Sequence, residues 1–153
     1  MEILFCHLAK KIRAGAWPFL HFCKKTFGMD MQIVETRYVL AVQNLAVSAS
    51  YYIEKLGFIT DWAYEGWHQL RREHFVVMLG ECADDRSAFE TRNHSYFAYV
   101  QVEDVDELYE ELTANGVEIH YALGSKPWGM REFGIITIDG HRIMFGQQLP
   151  ADR

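Results

Sequence analysis

Beyond residue 35 the alternation of apolar and polar positions passes through the same series twice. Tyr38-Val39-Leu40-Ala41-Val42 and Ala98-Tyr99-Val100-Gln101-Val102 are short apolar runs set 60 residues apart, followed by the polar pairs Gln43-Asn44 and Glu103-Asp104. Runs of that length, rich in β-branched and aromatic residues and closed by polar ones, read as strands. The period then lengthens. Ala49, Tyr52, Ile53 and Leu56 recur at i, i+3, i+4 and i+7, as do Val105, Leu108, Tyr109 and Leu112, which predicts two helices with one apolar stripe each. Asn44 and Asp104 suit their N-caps, Asp104 with Glu107 resembles a capping box, and Gly57 and Gly116 stand where a left-handed residue would end each helix. Three strands are expected after each helix, at 58–64, 67–71 and 75–79 and again at 117–121, 133–138 and 142–146. Glu65-Gly66, Arg72-Glu73-His74 and Asp139-Gly140 supply turns between them.

The order βαβββ therefore occurs twice, in one module at about 33–80 and another at about 94–148. A repeat of this kind predicts an α+β fold, with two βαβββ modules forming a curved mixed eight-stranded sheet, helices on one face and a cleft on the other. Alternation splits each strand accordingly. Tyr38, Leu40 and Val42 would pack inward, while Arg37, Val39 and Ala41 face the cleft. Tyr96, Ala98, Val100 and Val102 would likewise pack inward, leaving Ser95, Phe97, Tyr99 and Gln101 to the cleft with Arg142 and Met144. An apolar surface holding a few polar groups suits a small molecule.

Composition narrows the classes. A chain of 153 residues, 50% hydrophobic and 24% charged, can bury one core and need not be disordered. The pI near 5.6 argues against a phosphate-backbone binder, and no apolar run approaches the roughly 20 residues of a membrane span. Cys6, Cys23 and Cys82 are scattered with no CxxC pair, so neither a disulfide framework nor a thiolate zinc site is expected and a reducing cytoplasm is the expected compartment. Charge is divided unevenly, at +3 over residues 1–30 and −9 over residues 31–153. The first stretch is broken by Gly15 and Pro18 and lacks the continuous apolar core of a signal peptide. It reads as a peripheral extension ahead of a domain at 31–153, with an interfacial role for Trp17, Phe19 and Phe22 as the alternative.

Catalytic signatures are sparse. His68, His74, His94, His120 and His141 form no HxxxH or HxH pair and read as turn and surface residues. No serine sits in GxSxG, and neither GxGxxG nor a P-loop occurs. The acidic run from Glu103 to Glu111 reads as a solvated helix face.

The βαβββ repeat, the segment AVQNLAVSASYYIEKLGF and the ending PWGMREFGIITIDGHRIMFG together resemble the vicinal oxygen chelate superfamily over about residues 33–148. That superfamily groups glyoxalase I, extradiol dioxygenases, fosfomycin-resistance proteins and bleomycin-resistance proteins. Lys126-Pro127-Trp128-Gly129 followed by Arg131-Glu132-Phe133 is similar to the bleomycin-resistance branch, while Thr137-Ile138-Asp139-Gly140 replaces the usual Asp-Pro-x-Gly turn. The superfamily's enzymes hold a divalent ion with His and Glu from four strands. Here the resemblance places Arg37, Val77 (Met78 lying one residue away in register), Phe97 and Met144 at those positions. None offers a His or a carboxylate, and a guanidinium repels cations. No metal, cofactor or catalytic residue is therefore expected.

In their place the resemblance implies a homodimer whose modules combine into two crevices. Asp61 and Trp62 match a strand that offers an acid and an aromatic to the ligand, and Trp128 and Gly129 match a crevice-lining loop. Arg37, Phe97, Tyr99 and Met144 complete the expected ligand set. The implied function is metal-free sequestration of a small aromatic molecule, with antibiotic resistance as its setting. Asp61 and the −9 balance favour a cation, and Arg37 an anion. A lyase or dioxygenase with a displaced metal site is the alternative.

Overall fold

The computed structural model describes residues 33–91 and 96–150; the extension at 1–30 lies outside them. The first repeat comprises β1 (Tyr38–Val42), α1 (Leu45–Glu54), β2 (Ile59–Tyr64), β3 (Trp67–Arg72) and β4 (Phe75–Glu81). The second comprises β5 (Ala98–Gln101), α2 (Val105–Ala114), β6 (Glu118–Ser125), β7 (Met130–Ile136) and β8 (Arg142–Gln148). From Val34 onward the chain forms one compact unit.

The α+β architecture of two βαβββ modules is the expected one, and the strands divide into two four-stranded sheets, ordered β1-β4-β3-β2 and β5-β8-β7-β6. In each, the first strand runs parallel to the closing strand and the others pair antiparallel. The modules meet through side chains. The rings of Tyr38 and Phe97 touch edge-on at 5.6 Å and those of Phe75 and Phe97 stack at 6.4 Å, while the Phe97 amide is already bonded to Arg142 of its own module at 3.0 Å.

The helix ends show which local signals carry. Asn44 Oδ1 accepts the Val47 amide at 3.1 Å, as an N-cap should. Asp104 makes no side-chain cap, so the expected capping box does not form. A different amide, that of the first helical residue, is satisfied from afar in both modules: Gln147 Oε1 accepts the Val105 amide at 3.1 Å, and Glu81 Oε1 accepts the Leu45 amide at 3.3 Å. Each helix thus has an orphan amide satisfied by the end of its module's closing strand. Gly57 and Gly116 adopt φ of 70° and 72°. Beyond them Phe58 and Val117 donate back to the carbonyls of Tyr52 and Leu112, ending the helices as a left-handed cap does.

One core serves both modules. It runs from Leu40, Tyr52, Leu70, Val77 and Leu79 to Leu112, Phe133, Ile135, Ile143 and Phe145, side chains whose full burial stabilises by about 1.5–3 kcal/mol each relative to exposure. A bidentate ion pair bridges the modules beside it. Arg72, at the end of β3, meets Glu111 of α2 at 2.7 and 3.0 Å and also donates to the Leu56 carbonyl. Strand alternation holds as expected on β1, where Leu40 and Val42 are buried while Val39 and Ala41 are exposed. The hairpin of the second module differs from its expected bounds. β6 runs on to Ser125 and β7 starts at Met130, because Lys126 and Met130 pair at the hairpin mouth and Gly129, at φ 79°, closes the turn.

Candidate functional site

Residues directly opposed in a sheet share a face, so the pairing register defines the surface turned away from the helices. On the first sheet it contains Val39, Met78, Gly80, Gln69, Trp67, Trp62 and Tyr64. On the second it contains Tyr99, Met144, Gly146, Glu132 and Gly134. Both faces present rings. Trp62, Trp67, Tyr64 and Tyr99 are all partly or largely exposed.

Two glycines make room for them. A Cβ on Gly80 would lie 2.7 Å from the Trp67 ring, and one on Gly146 would lie 2.1 Å from the Tyr99 hydroxyl. These occupy matching places, since Met78-Leu79-Gly80 and Met144-Phe145-Gly146 repeat one pattern. An aromatic side chain therefore lies across the closing strand in each module. Tyr99 is fixed further by donating its hydroxyl to Glu132 Oε2 at 2.9 Å. Burial and that carboxylate push its phenol up to about 12, so it stays a neutral donor.

Asp61 and Trp62 are neighbours in sequence and would ordinarily point to opposite faces. A register shift between Thr60 and Trp62 removes that constraint: Trp62 pairs with Gln69, while the Asp61 carboxylate accepts from Gln69 Nε2 at 3.0 Å and Arg71 Nε at 2.5 Å. A bulge of this type re-aims a side chain, and here it brings the acid and the aromatic to one surface. The Arg71 hydrogen bond, with help from Gln69, holds the Asp61 carboxyl below its usual range.

Arg37 is also taken. It pairs with Glu35 at 2.5 Å, and Glu35 reaches Arg71 at 3.7 Å. Arg37, Glu35, Arg71 and Asp61 thus form one chain of alternating charge whose sum is zero. Neither Asp61 nor Arg37 offers the unbalanced charge from which a preference for cation or anion was expected.

The remaining expected residues separate. Trp128 sits at the β6–β7 hairpin tip and is 66% exposed, and Gly129 accepts the Leu149 amide there. Met144 pairs with Tyr99. Phe97 and Tyr96 depart from the faces expected of them: ahead of β5 the Phe97 ring is engaged by Tyr38, Phe75 and His141, while the Tyr96 ring lies over Gly134, opposite Met144 on the cleft face. Gln69 and Glu132 were not singled out by sequence reasoning; both are buried on the cleft faces, at 3% and 6% exposure. The alternation of β3 and β7 carried that signal, a polar residue on the face opposite the core positions.

The register also corrects one metal-equivalent position. Val39 opposes Met78 as Tyr99 opposes Met144, whereas Val77 is fully buried on the helix side. The fourth position is therefore Met78, and Arg37, Met78, Phe97 and Met144 do not fit a hard or borderline divalent ion, which needs nitrogen or oxygen donors. Among the described residues no group of three or more His, Cys, Asp or Glu side chains could hold one elsewhere. No helix among them is long and apolar enough to cross a membrane.

Known proteins agree with this architecture. The solved structure of TioX from Micromonospora sp. ML1 is similar at 24% identity, covering 75% of this chain and 98% of that one with a TM-score of 0.60. The bleomycin-binding protein from bleomycin-producing Streptomyces verticillus, complexed with copper(II)-bleomycin, is similar at 23% identity, 75% and 96% coverage and a TM-score of 0.59. The genomically encoded fosfomycin resistance protein FosX from Listeria monocytogenes follows at 16% identity, 76% and 94% coverage and a TM-score of 0.61. At these identities the likeness is one of fold. No curated protein matches the chain in sequence. The model of the Glyoxalase/Bleomycin resistance protein/Dioxygenase superfamily matches residues 34–145, and with two βαβββ modules in place the chain belongs to that superfamily.

Proposed function

We propose that this protein binds a flat aromatic small molecule without transforming it, in crevices formed when two copies close their cleft faces on each other. The observation that carries the reading is the exchange of donors for rings. Positions that would hold a metal carry Arg37, Met78, Phe97 and Met144, while Trp62, Trp67 and Tyr99 line the faces on which Met78 and Met144 lie. Edge strands and exposed rings favour closure by a second copy. The neighbour complexed with copper(II)-bleomycin supports a small-molecule ligand, and Trp128, on a hairpin tip, would reach over it. Because the Asp61–Arg71 and Arg37–Glu35 pairs cancel, stacking rather than charge sets the ligand class.

The test titrates 9-aminoacridine and acridine-9-carboxylate into the protein and follows Trp fluorescence, with light scattering in parallel. Saturable quenching by both, with affinities within about threefold, and a particle of twice the chain mass are expected. Trp128→Ala should weaken both probes about tenfold, a loss of about 1.4 kcal/mol. A persistent monomer, or one copurifying metal per chain held by His or Glu, would move the displaced-site enzyme ahead.

A further inference from the structure

A cavity lies between the two modules, and of the residues expected at the cleft Gln101 alone lines it. It has a volume of about 640 Å³ and opens where the end of α1 and the β3–β4 turn face α2 and the end of β5. Its floor is apolar, formed by the edges of buried side chains that include Phe58, Phe75, Leu108 and Phe145. That size falls in the range of about 300–1,000 Å³ typical of sites for organic molecules.

The rim is acidic. Glu73, Glu103, Asp104 and Glu107 all line it, and among the described residues no hydrogen bond or ion pair engages their side chains. The fifth rim carboxylate, Glu111, is balanced by Arg72, and His74 beside Glu73 adds an imidazole to the rim. Acids at the start of α2 also complement the helix dipole, but Glu73 belongs to a hairpin across the opening. Its backbone is left-handed, at φ 51°, where glycine would sit with less strain. Carboxylates therefore approach the opening from two separate elements, above an aromatic and aliphatic floor.

We propose that this junction pocket binds a small amphiphilic amine, its aryl or alkyl body against Phe58, Phe75 and Phe145 and its ammonium among Glu73, Glu103 and Glu107. Unpaired carboxylates around an apolar cavity exclude an anion by repulsion, and a cation entering there replaces water with charge-assisted hydrogen bonds. The site is distinct from the crevice and does not depend on it. None of Trp62, Trp67 and Trp128 lines the pocket, whereas Leu56, Leu108 and Leu112 do, so leucine methyls report this cavity.

The experiment adds 4-phenylbutylammonium or 4-phenylbutyrate to the full-length protein and follows leucine methyl shifts by NMR, with calorimetry for stoichiometry. One ammonium per chain is expected, shifting Leu56, Leu108 and Leu112, with no saturable binding of the carboxylate. Glu103→Gln with Glu107→Gln should weaken the ammonium tenfold or more, and Glu73→Gln, on the opposite lip, should weaken it independently. Raised salt should weaken it as well. Equal binding of the two probes, unchanged affinity in both sets of variants, shifts confined to the cleft faces, or no binding at all would each overturn the proposal.

Discussion

Single buried polar groups are where this fold is most finely poised. Asp139, in the turn between β7 and β8, accepts from Ser48 of α1 at 2.8 Å, yet its other carboxylate oxygen is buried with no hydrogen-bond partner among the described residues. Burial raises its carboxyl above the usual 3.8, more than Ser48 and His141 lower it. The folded state therefore holds the proton to higher pH than the unfolded state does. Stability falls as pH rises from the unfolded value through the raised one, and stays lower above it. Asp139→Asn keeps an acceptor for Ser48 and cannot ionise. The variant should melt higher than the parent at pH 7.5, and the difference should shrink toward pH 3.5. Equal melting temperatures at pH 7.5 would show that the ionised carboxylate is not disfavoured. Asp61 and Asp106, whose carboxyls Arg71 and Arg131 hold low, act with the opposite sign but are common to both proteins.

At the scale of elements, the closing strand of each module does three jobs within four residues. Met78 and Met144 occupy the cleft face, Gly80 and Gly146 admit a ring, and Glu81 and Gln147 satisfy the first amide of a helix. The glycines matter because a side chain there meets the ring lying across it. Gly146→Ala would place a Cβ 2.1 Å from the Tyr99 hydroxyl, forcing the ring off Glu132. Such overpacking costs about 1–3 kcal/mol, a melting temperature lower by roughly 3–10 °C. In a Tyr99→Ala background most of that cost should vanish, and a cycle over the four proteins measures the coupling. Additive effects would mean that the strand itself, not the ring, requires glycine.

For the whole molecule, a single core through both modules sets how it comes apart. Leu40 and Val77 of one module and Phe133 and Ile143 of the other belong to one buried cluster, so calorimetry should show a single cooperative transition with calorimetric and van't Hoff enthalpies equal. Arg72→Met removes the guanidinium that ties β3 to α2. The pair is about one-third exposed on each side, which screens its charges, so the loss should be about 1 kcal/mol and the transition should stay single. Two resolved transitions in the variant would show that the ion pair, rather than the core, couples the modules.

The sequence alone determined what rests on local chemistry and period. The 60-residue repeat, both helices, the glycines at their ends and the N-cap of Asn44 follow from backbone conformation and amphipathic spacing, which neighbouring residues suffice to encode. The absence of metal donors at Arg37, Phe97 and Met144 was equally plain. What needed the tertiary structure were choices made between elements distant in the chain. The first amide of each helix has no partner nearby in the chain, but Glu81 and Gln147, 36 and 42 residues on, accept from Leu45 and Val105. Asp61 and Arg37 look like free charges, but the bulge and the partners Arg71 and Glu35 cancel them. The run from Glu103 to Glu111 looks like a solvated face, but the β3–β4 hairpin turns part of it into the rim of a cavity. Each of these depends on which strand lies beside which, and hydrogen bonds and Coulomb interactions at 3 Å are decided by that adjacency, which no local pattern records.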